Sequence, residues 1–152
     1  NSIRELQPDA FLNSSSLLTL LLYDNQISSL HETNFRHLGN LSYLNLNNNL
    51  IRSIPHGAWT GTNRLTYLNL GSNRLTDLGA GVFDGLDVLK EVILNSNNLA
   101  APPWLALRSL TMLTRLQLRG NHIQRWSGAP TNMSSLRWLQ LGQNNSIEES
   151  KT

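Results

Sequence analysis

The chain has 152 residues, of which 31 are Leu and 19 are Asn, while only 14% are charged and the formal charge is +2. So many large apolar residues with so little net charge exclude a disordered chain. The absence of cysteine excludes disulfides, zinc fingers, iron–sulfur sites and thiol chemistry. The densest apolar run, Leu17 to Tyr23, falls far short of the roughly 20 residues that span a bilayer, so direct membrane insertion by this segment is not expected. Lys and Arg are spread evenly through both halves, the opposite of a nucleic-acid footprint, and no nucleic acid is expected as a partner.

Taken in chain order, the sequence opens in the middle of a repeating unit. Asn1-Ser2-Ile3, Leu6 and Phe11 match Asn25-Gln26-Ile27, Leu30 and Phe35 position for position, so residues 1–16 read as a half repeat that lacks its strand. Leu17, Leu41, Leu65, Leu89, Leu113 and Leu136 then each open a segment of the form L-x-x-L-x-L-x-x-N, at spacings of 24 four times and then 23. Residues 17–40, 41–64, 65–88, 89–112 and 113–135 are the full repeats, and 136–152 is a degenerate terminal one. Asn fills the ninth place in all six segments (Asn25, Asn49, Asn73, Asn97, Asn121, Asn144), and only Val92 departs from Leu among the apolar places. After Asn144 the next apolar place has become Ser146, and the pattern decays into a polar tail. The polar caps that a solenoid needs are expected either in the half repeat and the acidic tail or outside this chain.

Each place has a physical reason. Apolar residues at places four and six alternate with period two, which predicts a short strand in each repeat. Leu44 and Leu46 should point inward and Asn45 between them outward. The Asn at place nine stands where the chain leaves the strand; its amide donates and accepts at once. Stacked asparagines should therefore form a ladder that satisfies buried peptide groups. Later apolar places, such as Ile51, Ile54 and Trp59, or Leu75, Leu78, Phe83 and Leu86, fill the core from the returning side. One such coil cannot bury its own apolar face, so the coils must stack. The expected fold is an α/β solenoid: a curved, parallel, concave sheet of about six strands, with loops and short 3-10 turns on the convex side.

This pattern is the leucine-rich-repeat signature. Repeats of 24 residues with Phe near place nineteen (Phe11, Phe35 and Phe83, replaced by Trp59 and Leu107) resemble the extracellular class, which includes Toll-like receptors, small matrix proteoglycans and variable lymphocyte receptors. The run Leu78-Gly79-Ala80-Gly81-Val82-Phe83-Asp84-Gly85-Leu86 is similar to the L-P-x-G-V-F-D-x-L segment of variable lymphocyte receptors, with Gly79 in place of proline. The cysteine-rich caps of those receptors are missing, and Ala100-Ala101-Pro102-Pro103-Trp104 replaces the usual return segment. The resemblance implies an extracellular, secreted or cell-surface recognition module without cofactor or catalytic activity. Its implied partner is a microbial surface glycan or a protein antigen.

Several local motifs carry no chemistry. Gly79, Gly81 and Gly85 lack the spacing and the strand–helix setting of a phosphate loop and read as turn glycines. His31, His37, His56 and His122 lie in different repeats without metal-ligand spacing and read as solvated. Four N-x-S/T sequons, at Asn13, Asn40, Asn132 and Asn144, are about what chance delivers in so Asn- and Ser-rich a chain. Asn144 is expected to be a ladder residue, and the other three fall in the convex arm.

Binding is expected on the outward places of the concave sheet. Place three holds Thr19, Tyr43, Tyr67, Glu91, Arg115 and Trp138. Place five holds Leu21, Asn45, Asn69, Ile93, Gln117 and Gln140, and places seven and eight add Tyr23, Asp24, Asn47, Asn95 and Arg119. Aromatic residues and Arg dominate binding hot spots, so the candidate ligand-binding residues are Tyr23, Asp24, Tyr43, Asn45, Asn47, Tyr67, Asn69, Glu91, Asn95, Arg115, Gln117, Arg119 and Trp138. Tyr43 and Tyr67 are also placed to stack on each other, and Glu91 and Arg115 to pair. Apolar Leu21 and Ile93 on the same face motivate an alternative, an adhesion or matrix module that pairs with itself as a weak homodimer. The missing cysteines motivate a third, an intracellular scaffold.

Overall fold

A computed structural model describes residues 1–128 and 132–144; the polar tail at 145–152 lies outside them. Six strands, β1 (Thr19–Leu21), β2 (Tyr43–Asn45), β3 (Tyr67–Asn69), β4 (Glu91–Ile93), β5 (Arg115–Gln117) and β6 (Trp138–Gln140), form one sheet in sequence order. All five pairings are parallel and keep the repeat in register: Tyr43 faces Tyr67, Tyr67 faces Glu91, and Arg115 faces Trp138. The expected parallel sheet of stacked coils is therefore the fold.

The strands are three residues long because the next turn is already encoded. At place eight the backbone enters the left-handed region in every repeat: Asp24, Asn48, Ser72, Ser96 and Gln143 have φ between 51 and 56°, and Gly120 has φ 70°. Only Gly120 does so without steric cost, and Asp and Asn tolerate it better than Ser or Gln. The turn drives the next side chain, the ladder Asn, into the core. Asn73 Nδ2 donates to Leu46 O at 2.9 Å and Leu70 O at 3.1 Å, and its Oδ1 accepts the Ile51 N–H at 3.0 Å. Asn49, Asn97 and Asn121 repeat this set one coil apart.

The core is the inward row of each strand closed off by the returning arm. Leu44, Leu46, Leu68, Leu70, Val92, Leu94, Leu116 and Leu118 are all fully buried. Opposite them, Phe11, Phe35, Trp59 and Phe83 stack as a spine, with successive ring centroids 6.3, 5.9 and 6.4 Å apart. Strands in a sheet lie only about 4.8 Å apart. The ring side of each coil is thus thicker than the strand side, which bends the stack with the sheet on the inside of the curve.

The returning arms are mostly turns closed by bonds from N–H to the carbonyl three residues back, as at Leu38 to Phe35 and Leu86 to Phe83. One arm differs from the expected loops and 3-10 turns. In the fourth full repeat, Pro102 and Pro103 lead into a short helix, α1 (Trp104–Leu107), that buries Ala106 and Leu107 and leaves Leu105 exposed. Pro is tolerated just ahead of a helix because no intrahelical bond needs its missing N–H. Leu107 takes the core place that Phe or Trp holds in the earlier arms.

Candidate functional site

The outward residues of β2 to β6 make a connected column. The rings of Tyr43 and Tyr67 are stacked, and the Asn69 amide reaches the Tyr67 hydroxyl at 3.4 Å. Glu91 follows at the next strand, then Arg115, whose Nη1 lies 3.9 Å from Glu91 Oε2. The Arg115 guanidinium in turn sits 5.4 Å from the centre of the Trp138 ring, within the range of a cation–π contact. Burial first, then the neighbouring Tyr43 hydroxyl, pushes the Tyr67 phenol up to about 12.

A second row runs beside it. Gln117 Nε2 donates to Glu91 Oε1 at 3.1 Å, and Gln117 Oε1 accepts from Asn95 Nδ2 at 2.8 Å. Asn95 Oδ1 accepts the backbone N–H of Arg119 at 2.8 Å. The Arg119 guanidinium donates twice to Gln143 Oε1, at 3.0 and 2.8 Å. In the first half of the sheet, Asn45 Oδ1 accepts the Asn47 N–H at 3.0 Å, and Asn69 Oδ1 accepts the Gly71 N–H at 2.9 Å. Asn47 extends over the next coil: a Cβ at Gly71 would meet Asn47 Oδ1 at 3.0 Å and Asn69 Oδ1 at 3.1 Å. Glycine there lets the two amides lie flat against the sheet.

Of the residues expected to bind, Tyr43, Asn45, Asn47, Tyr67, Asn69, Glu91, Asn95, Arg115, Gln117, Arg119 and Trp138 share this one surface. Asp24 joins its edge, accepting a bond from Asn48 Nδ2 at 2.7 Å. Tyr23 is exposed at the same edge and takes part in none of these side-chain contacts. Leu18 and Leu21 beside it are more than half exposed, at 60% and 53%, so the β1 end of the face is apolar and the β5–β6 end cationic and aromatic.

Sequence reasoning missed two features. A cavity of about 400 Å³ opens on the flank between the third and fourth arms, lined by Asp77, Leu78, Leu99, Pro102, Trp104 and Leu105 among others. It exists because α1 and its prolines displace the usual return segment. Trp104 anchors that segment to the next coil, with Nε1 donating to Ser127 O at 2.9 Å and its ring tilted against Trp126. The two prolines were the signal. The other feature is Asn34, fully buried in the convex arm, where it accepts the His31 N–H and donates to Leu6 O. Its place carries Asn only once, so periodicity gave no sign of it. Among the described residues, no group of three or more His, Asp or Glu could hold a metal ion, and no helix is long and apolar enough to cross a membrane.

The Leucine rich repeat family model matches residues 1–51, 39–99, 63–123 and 87–147. No curated protein matches the sequence. Among solved structures, an internalin (InlF) from Listeria monocytogenes strain 4b F2365 is 29% identical, with a TM-score of 0.66. The match covers 84% of this chain and 35% of that one, so the chain spans about a third of the internalin's length.

Proposed function

Because the chain belongs to the leucine-rich-repeat family, whose members are typically non-enzymatic protein-binding modules, we propose that it recognises a polypeptide through the concave sheet. The observation that carries this reading is the connected column Tyr43–Tyr67–Glu91–Arg115–Trp138. The frame of Leu and Asn is nearly constant from coil to coil, whereas the outward residues vary along the sheet, from Tyr and Asn on β2 and β3 to Glu, Arg and Trp on β4 to β6. Aromatic and Arg side chains held by one another bind at low entropic cost, as they do in antibody loops. Replacing Tyr43, Glu91 and Arg115 together by Ala should cut binding to the cognate partner at least about tenfold, or 1.4 kcal/mol, while the melting temperature stays within a few degrees. The partner is to be found by screening bacteria, glycans and candidate proteins. Undiminished binding by the triple variant would remove the concave face from the proposal.

The immune version of this reading, a secreted or cell-surface receptor for microbial surface components or protein antigen, is supported by the likeness of the Leu78–Leu86 segment to variable lymphocyte receptors. An adhesion module is the second reading. The internalin likeness and the exposed Leu18, Leu21 and Tyr23 favour it, because an apolar patch at one end of a binding face marks a protein-contact surface. A strict monomer at high concentration in sedimentation would dismiss its self-pairing form.

A further inference from the structure

The hydrogen bonds of the concave face are consumed unequally. Four of its amide oxygens are already taken: Asn45 Oδ1 and Asn69 Oδ1 by backbone N–H groups two residues on, Asn95 Oδ1 by Arg119 N–H, and Gln117 Oε1 by Asn95 Nδ2. Each carboxylate of the face has one oxygen engaged. Asp24 accepts from Asn48, and Glu91 accepts from Gln117 with its side chain only 20% exposed.

Four side chains of the face keep donors to spare among the described residues. Asn45 Nδ2 makes no hydrogen bond among the described residues, and Asn69 Nδ2 has only the long contact to Tyr67. The bonds at Oδ1 fix both amides in one rotamer, so their NH2 groups stand in register on neighbouring strands, about 4.8 Å apart. The Arg115 side chain is 57% exposed and 3.9 Å from Glu91, beyond hydrogen-bond range, so its five donors have no hydrogen bond among the described residues. Trp138 holds it in place from beneath. Arg119 gives two donors to Gln143 and keeps three.

From this imbalance we infer that the concave face binds an acidic polypeptide segment, with its carboxylates on Arg115 and Arg119 and its carbonyl oxygens on the Asn45 and Asn69 amides. The inference rests on the concave-face reading above and adds the chemistry of the partner. A basic segment finds one exposed carboxylate, Asp24 at the β1 edge, and the mostly buried Glu91 beside Arg115. An acidic one meets oriented donors for its carboxylates and carbonyls, the condition under which charged hydrogen bonds favour binding.

The test uses three peptides of equal length, built of alternating Glu and Ser, Lys and Ser, or Gln and Ser, and a sulfated oligosaccharide. Each is titrated into the isotopically labelled protein while the side-chain amide signals of Asn45 and Asn69 and the indole signal of Trp138 are followed. The Glu–Ser peptide should shift all three and bind more tightly than the other two peptides, by a margin that shrinks as salt is raised. Asn45→Asp with Asn69→Asp keeps the oxygen that takes the backbone N–H and replaces the free NH2 by a negative oxygen. That double variant should lose at least tenfold in affinity with an unchanged backbone amide spectrum, as should Arg115→Gln with Arg119→Gln. If the Lys–Ser or Gln–Ser peptide binds at these signals as well as the acidic one, this inference is overturned and the concave-face reading stands. Binding by the oligosaccharide without the acidic peptide overturns it as well. Shifts confined to the convex arms, or none with any probe, also overturn it; the triple-alanine comparison then decides the concave face separately.

Discussion

The rings of Tyr43 and Tyr67 lie parallel, 4.1 Å between centroids and 4° between planes. Strand register brings them to this spacing, because each occupies place three of adjacent coils. Burial of the ring disfavours its anion first, the Tyr43 hydroxyl beside it next and Glu91 least, and together they push the Tyr67 phenol up to about 12. The folded state therefore holds this proton more tightly than the unfolded chain, whose tyrosines ionise near 10. Stability from this site is complete below pH 10 and is lost as pH rises toward 12, since the unfolded state there binds fewer protons. Absorbance titration near 295 nm should show a tyrosine ionisation near 12. Tyr43→Phe should move that late step back toward 10; a late step unchanged in Tyr67→Phe would assign it to another residue.

Removing a ladder amide should be more costly inside the stack than at its first coil. Asn73→Ala strands the buried Ile51 N–H and takes one of two ladder bonds from each of the Leu46 and Leu70 carbonyls, which keep those from Asn49 and Asn97. At about 1–3 kcal/mol for the unsatisfied N–H and about 0.5–1.5 kcal/mol for each lost bond, a loss of roughly 2–5 kcal/mol is expected. Asn25 bonds the carbonyls of its own coil and the partly buried Ile3 N–H, so Asn25→Ala should cost about half as much. Urea denaturation of the two variants gives the comparison, and equal losses would contradict it.

Place eight offers stabilisation. Ser72 and Ser96 adopt φ of 51 and 54°, and a residue with a Cβ is strained there. Ser72→Gly and Ser96→Gly should each raise stability by up to about 1 kcal/mol, less the flexibility that glycine adds to the unfolded chain. The reverse change, Gly120→Ala, combines φ of 70° with a Cβ placed 3.2 Å from Ser96 Oγ and should lower stability by about 1 kcal/mol or more. Thermal melts should order the variants with both serine-to-glycine changes above the parent and Gly120→Ala below it.

The four sequons are not equivalent. A glycan replaces one hydrogen of the Asn Nδ2. Asn13 is exposed, and Asn40 and Asn132 each donate once, to Ser15 O and Arg108 O, which leaves one hydrogen for the linkage. Asn144 donates to both Leu118 O and Leu141 O and has none to spare. Folded protein secreted from a eukaryotic cell should carry glycans at Asn13, Asn40 or Asn132 and none at Asn144. Site mapping by mass spectrometry checks this, and an occupied Asn144 in folded protein would refute it.

The sheet, its register and its inward row were legible in the sequence because each rests on a period that recurs six times. Tyr43 and Tyr67 could be placed in one column, and Leu44 and Leu46 in the core, from spacing alone. What the spacing could not show is which half of each outward amide is already in use. Whether Asn69 offers its oxygen or its NH2 depends on a backbone N–H two residues on and on Gly71 being small enough to admit it. The helix at Trp104–Leu107 and its flanking cavity were hidden for a different reason. They follow from a local break in the period, and a break signals that something changes without saying what replaces it. Asn34 was hidden because a buried polar residue that occurs once looks like any surface Asn.

The ladder also has a direction. From Asn49 onward, each ladder Asn donates to a carbonyl of the preceding coil as well as its own, and each accepts an N–H from the preceding coil. Among the described residues, none reaches toward the coil that follows. A newly added coil therefore completes its predecessor and leaves its own wants to its successor. A chain that emerges from the ribosome N-terminus first builds this array in the order in which every coil is closed by the next one made, whereas growth from the other end would leave each amide waiting for a coil not yet present.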